Sequence, residues 1–185
     1  MPISRNDLGI EHAPYGIPLH SLRAVDGATL GVAEDTADLF LVVSSNVHSI
    51  RGRTPETATE AAAAVLQFPL PSNYVPAGAL EFVITCQFID GAGADAGRAS
   101  TVDCAAFLQT DGAVGSDLVT TAATAFAAGA GGLDTYVDFP FTVDPAGLSA
   151  GQILNFLVTF SAVADNANPT QIEGVNPRVL LDVKG

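Results

Sequence analysis

Residues 78–89 read GALEFVITCQFI, with Leu80, Phe82, Ile84, Cys86 and Phe88 on one face of an extended chain and Glu81, Val83, Thr85 and Gln87 on the other. Five apolar residues in strict alternation match a strand buried on one side; a helix of 3.6 residues per turn would scatter them around its circumference. The period returns in residues 100–109 (STVDCAAFLQ), where Val102, Cys104, Ala106 and Leu108 share a face, and in residues 152–163, where Leu154, Phe156, Val158 and Phe160 do. In residues 133–143 (LDTYVDFPFTV), Leu133, Val137, Phe139, Phe141 and Val143 point inward and Asp134, Tyr136, Asp138 and Pro140 outward. Pro140 cannot donate to a ladder, which places that strand at an edge or a bulge.

The remaining segments fit the same scheme. Asp26-Gly27 is a strong turn dipeptide between residues 22–25 and 28–33, predicting a hairpin. Residues 38–44 (DLFLVVS) form a nearly continuous apolar run, predicting a strand covered on both sides, and residues 178–183 (RVLLDV) close the chain as a last strand. Residues 78–89 and 100–109, joined by a Gly/Asp-rich loop, are expected to pair as a meander. Residues 54–66 (TPETATEAAAAVL) admit a short helix or a strand, since Thr54 suits a cap and Pro55 a first helical position. After Val143, the stretch DPAGLSAG supplies a Pro/Gly turn between two long strands. About eight short antiparallel strands without alternating helices mean an all-β sandwich or barrel.

At 185 residues the chain holds one core, and folding on this scale buries roughly 70% of the surface the unfolded chain exposes, so no staple is required. Residues 1–22 differ from the rest, with three prolines and no sustained period. They read as an extended N-terminal arm preceding a body of residues 23–185. Ile3, Leu8, Ile10, Tyr15, Ile17 and Leu19 make the arm too apolar for a solvated tail. It is expected to lie on its own body as an edge strand, or on a neighbouring copy or another protein. Deleting residues 1–20 is expected to leave the body folded and abolish assembly.

Charge excludes several partners. Twenty acidic against seven basic residues give a net charge of −13 with no basic block, so the chain's field repels nucleic acid and anionic membranes. No run reaches the roughly 18–20 apolar residues of a spanning helix, and the first residues lack the apolar segment of a secretory signal. The charged fraction, 15%, is low beside the roughly 25% of a typical domain, which suits a surface shared with other subunits.

Chemistry-bearing patterns are sparse. There is no nucleophile elbow, zinc-protease motif, phosphate loop or EF-hand, and the stretch 129–132 (GAGG) lacks the lysine of a phosphate cradle. His12, His20 and His48 are dispersed, and an extended arm holds imidazoles poorly, so surface or packing roles are expected. Asp90, Asp95, Asp165 and Asn166 lie in loops where Ca²⁺ coordination is conceivable, although turn initiation is the commoner use of such residues. Glu81, Asp103, Asp134 and Asp138 sit on polar strand faces where glycosidase-like carboxylates would need to face one another. Cys86 and Cys104 read as buried thiols, with a disulfide open only if their strands are adjacent. The expectation is no catalytic residue, metal or cofactor. A chain without Trp and with only Tyr15, Tyr74 and Tyr136 offers few platforms for sugar stacking.

One ordered set of motifs goes further. Residues 68–80 (FPLPSNYVPAGAL) run into an alternating strand, and residues 147–151 (GLSAG) into a closing pair. This order resembles bacteriophage capsid decoration, or cement, proteins with jelly-roll bodies, over about residues 22–185. The resemblance implies a single jelly-roll β-sandwich, no catalysis, a homotrimer bound to the major capsid protein, and a place on the virion's capsid surface. Two other classes stay open: a carbohydrate- or host-surface-binding jelly roll of a fibre or appendage, predicting a concave polar site near Tyr74 or Tyr136, and a Ca²⁺-dependent or hydrolytic enzyme.

Overall fold

A computed structural model describes residues 9–34, 37–44, 47–55, 59–90, 100–110, 113–126, 135–163 and 170–185. Eleven strands run through them: β1 (Ile10–Gly16), β2 (Phe40–Ser44), β3 (Val47–Arg51), β4 (Glu60–Pro69), β5 (Leu80–Asp90), β6 (Thr101–Thr110), β7 (Ala113–Val114), β8 (Thr124–Ala125), β9 (Val137–Thr142), β10 (Ile153–Ala162) and β11 (Thr170–Lys184). They form two antiparallel sheets. Sheet A has the order β2-β3-β11-β5-β9, with β1 also on β11; sheet B has the order β4-β10-β6-β7, with β8 on β6. The long connections β3 to β4, β4 to β5, β5 to β6, β9 to β10 and β10 to β11 all cross between sheets, giving a jelly-roll-type β-sandwich.

The alternating residues read from the sequence make the core. Leu80, Phe82, Ile84, Cys86 and Phe88 of β5 are buried, as are Val102, Cys104 and Ala106 of β6 and Leu154, Phe156, Val158 and Phe160 of β10. The sheets meet where Phe82 of β5 stacks on Phe156 of β10 at 5.1 Å between ring centroids. Phe126 ties in the far end, 5.7 Å from Phe88 and 4.8 Å from Phe139. Pro140 lies in β9, the edge of sheet A, as its missing N–H requires. The 144–152 turn joins β9 to β10 with Gly147 at φ +79° and Gly151 at φ +82°, left-handed conformations that favour glycine.

Several expectations are corrected. β5 and β6 do not pair: β5 lies between β11 and β9, and β6 beside β10 in the opposite sheet. Their shared period fixes which face each buries but not which strand lies alongside. Residues 22–33 form a turn with a single bridge, Arg23 to Thr29, in place of a hairpin. Of the helix and the strand left open for residues 54–66, the strand is found: residues 60–69 are β4, where Ala62, Ala64, Leu66 and Phe68 are buried at period 2. The 38–44 run is not covered on both sides, because β2 is the edge of sheet A and Val43 is exposed. Val137, expected inward, is exposed at the open end of β9.

Residues 10–16 of the expected arm are strand β1, paired from Ile10↔Lys184 to Gly16↔Arg178 along β11. Tyr15, Ile17 and Leu19 pack against the core, and the Tyr15 ring meets Phe68 edge-on at 6.2 Å. Ile10 is half-buried at the strand's far end. Ile3 and Leu8 lie outside the described residues. The geometry of β11 explains how one strand serves two neighbours. Its first half pairs with β3 through Glu173 and Gly174, its second half with β1 on the same side, and a register irregularity between Val175 and Arg178 separates them. Asn176 at φ +50° and Pro177 occupy that irregularity, the position where a strand tolerates both.

Candidate functional site

The sandwich has two outer faces of opposite character. On sheet B, outward residues form rows across β4, β10 and β6: Gln67, Asn155 and Phe107; Val65, Leu157 and Ala105; Ala63, Thr159 and Asp103. With Ile153 they make a half-buried, largely apolar surface. Three polar side chains of this face are linked, as the Gln67 amide donates to Asn155 at 3.1 Å and to Gln109 at 3.2 Å. Asp103 is the one charged outward side chain of these three strands among the described residues.

Sheet A carries its charge outward. Glu173 projects from the first half of β11 and is only 6% exposed. Register places Arg51 of β3 on one side of it and Gln87 of β5 on the other. Its Oε1 accepts from the Ser49 hydroxyl at 2.5 Å and from Arg51 Nε and Nη2, each at 3.0 Å. Its Oε2 accepts from the Gln87 amide and from the Tyr136 hydroxyl at 2.9 Å. Burial pushes the Glu173 carboxyl up, but the hydrogen bonds from Ser49, Tyr136, Gln87 and Arg51 outweigh it and hold the group below its ordinary range. The Tyr136 phenol is pushed up to about 12 by burial and by the neighbouring carboxylate.

A second cluster follows along the same face. Arg178 donates to Asp138 at 2.5 Å and to the Thr85 hydroxyl at 3.1 Å, and Thr85 donates to Asp138 at 2.6 Å. The Thr85 hydrogen bond, then Arg178, holds the Asp138 carboxyl low against a partial burial penalty. Further along, the His12 Nδ1 lies 3.0 Å from Asp182 Oδ1, and Asp182 Oδ2 accepts the Ala79 N–H at 2.9 Å. His12, Glu81 and Thr142 border an open cleft of about 530 Å³ there.

Of the three carboxylate centres, sequence reasoning named Asp138 and missed Glu173 and Asp182. Glu173 lies in a segment without a motif, and His12 looked ill-placed until β1 fixed it against buried Asp182. Glu81 and Asp138 share the sheet A face but stand on β5 and β9 four residues apart in register, about 13 Å of strand, while Asp103 is on the other sheet; Asp134 lies outside the described residues. They do not converge as a glycosidase pair requires. Among the described residues no three His, Cys, Asp or Glu side chains converge as metal ligands. The loop positions Asp95, Asp165, Asn166 and 129–132 lie outside the described residues. Tyr74 is no surface platform: it is buried, with its hydroxyl donating to the Gly78 carbonyl at 3.1 Å. Cys86 and Cys104 are free and sit in opposite sheets, and burial pushes both thiols well above their ordinary range. No helix among the described residues is long and apolar enough to cross a membrane.

No family model matches the chain, and no curated protein matches it. Among solved structures it is similar to a carbohydrate-binding module, TmCBM27, described for specific mannan recognition. The two are 12% identical over 93% of this chain and 89% of that one, with a TM-score of 0.37.

Proposed function

We propose that the chain is a virion structural protein of the capsid-decoration type, self-associating as a trimer and seated on the major capsid protein of a phage head, without catalysis of its own. The observation that supports this is the outer face of sheet B. Copies carrying −13 each repel one another over most of their surface, and a face with one carboxylate among its described outward residues is where protein can approach. Three ten-residue strands cover on the order of 450 Å². That is below the roughly 800 Å² per partner of a stable binary interface. Such a face suits an assembly in which several weak contacts act together. Analytical ultracentrifugation and co-sedimentation with undecorated shells test the reading. A trimer that binds shells, and that Leu157→Lys reduces to a monomer with weakened shell binding, is expected; a wild-type monomer that binds no shell overturns it.

A second reading, a carbohydrate- or host-surface-binding module of a fibre or appendage, is favoured by one observation on the opposite face. Tyr136 exposes its ring beside an ordered set of donors and acceptors.

A further inference from the structure

We infer that the outer face of sheet A binds an uncharged, hydroxyl-rich ligand, a glycan whose pyranose ring seats on Tyr136. The inference rests on the second reading above and names the ligand class and the residues that select it.

Three tyrosines divide by environment. Tyr15 is packed on Phe68 and Tyr74 is buried, whereas Tyr136 is 41% exposed. Its ring is not a loose surface group, because the hydroxyl is held by Glu173 at 2.9 Å. An aromatic plate fixed before the ligand arrives loses little rotamer freedom on binding. A pyranose offers such a plate an apolar face of C–H groups, with hydroxyls at its rim that need partners.

The rim partners are in place. Arg51 keeps Nε and Nη2 on Glu173, which leaves the Nη1 edge of a partly exposed guanidinium directed elsewhere. Gln87 uses its amide N–H on the same carboxylate, which leaves the amide oxygen as an acceptor. Two residues along the face from Tyr136, Asp138, Thr85 and Arg178 add a second group of oxygens and N–H donors, about 7 Å away by strand geometry. Both donors and acceptors are therefore present, as a polyol requires of its site.

Charge decides against other ligands. The two guanidiniums are matched by two carboxylates, Arg51 by Glu173 and Arg178 by Asp138. The cluster therefore presents no net charge to attract an ion, and the chain's −13 repels an anionic glycan on approach.

Affinity electrophoresis of the full chain through gels containing galactomannan, xylan, β-glucan or dextran, with alginate and heparin as anionic probes, tests the inference. Retardation by at least one uncharged polysaccharide is expected. It should fall about tenfold in Tyr136→Ala, a surface substitution checked for unchanged circular dichroism, and persist in Val25→Thr, an exposed position of the 22–33 turn. Retardation confined to the anionic probes, or undiminished in Tyr136→Ala, overturns the ligand class or the site while leaving a carbohydrate-binding module standing. Silence in every gel overturns both.

Discussion

The Tyr136 hydroxyl donates to Glu173 at 2.9 Å, joining the residue before edge strand β9 to the first half of the central strand β11 across Gln87 of β5. Sheet A is thereby cross-linked on its solvent side by side chains as well as by its ladders. Removing the carboxylate leaves Ser49, Gln87 and Arg51 without their acceptor. Glu173→Ala is expected to cost about 2–4 kcal/mol, given the cost of stranding buried donors and a guanidinium. At 2–4 °C per kcal/mol for a chain of this size, thermal denaturation should register a fall of roughly 4–16 °C. Tyr136→Phe removes one donor of several and is expected to cost about 1 kcal/mol or less.

Acid should act through the same group. The folded-state pKa values of Glu173 and Asp138 lie below their unfolded values, so their contribution is fully present above the ordinary carboxylate range near pH 4 and is lost as pH falls through the folded values. Stability should decline from about pH 5 downward, and Glu173→Gln should show a shallower decline. Tyr136 works in the opposite sense. Its phenol is raised to about 12, so its contribution holds below the unfolded value near 10 and disappears between there and about 12. Chemical denaturation at a series of pH values measures both limbs, and an acid limb equally steep in Glu173→Gln would assign it to other carboxylates.

Gly174, the neighbour of Glu173, faces the core. A Cβ there would stand 2.7 Å from Phe160 Cζ and 3.0 Å from Ile84 Cδ1. Phe160 belongs to β10 of the other sheet, so the absent side chain sets how closely the sheets approach at this level. Gly174→Ala is expected to cost about 1–3 kcal/mol through overpacking, seen as a lower denaturant midpoint with an unchanged slope. A variant as stable as the parent would mean that the Phe160 ring swings aside freely.

The fold was legible where alternation was strict. Phe82, Ile84, Phe156 and Phe160 announced both their strands and the faces they bury. Neighbours were not legible, because a period of two says nothing about which strand lies alongside, and so β5 and β6 seemed a pair. The apolar run at 38–44 hid an edge strand for the same reason. The polar cluster was out of reach: Ser49, Arg51, Gln87, Tyr136 and Glu173 come from four separate stretches of sequence, and only the registers of β3, β5 and β11 bring them to one carboxylate. The thiols were readable from burial, since Cys86 and Cys104 both sit in alternating apolar runs, but only topology placed them in opposite sheets.

Deleting residues 1–20, expected from the sequence to abolish assembly and leave the body folded, carries a cost to the body as well. The deletion strips β1 from the second half of β11, leaving the edge from Arg178 to Lys184 unpaired. It also removes Tyr15, Ile17 and Leu19 from the core margin and the bond from the Ile17 N–H to the Pro177 carbonyl at 2.8 Å, which steadies the irregular turn of β11. Three half-buried apolar side chains at about 1 kcal/mol each give a loss of roughly 3 kcal/mol or more, enough to lower the urea midpoint measurably in a body that still folds. A bared strand edge is also a template for pairing with another chain, so the truncated protein should aggregate at concentrations where the full chain stays dispersed. Light scattering alongside the urea titration reads both effects. A truncation with the parent's midpoint and no added scattering would show that β1 adds nothing to the body and that the apolar residues of this segment serve only contacts outside the chain.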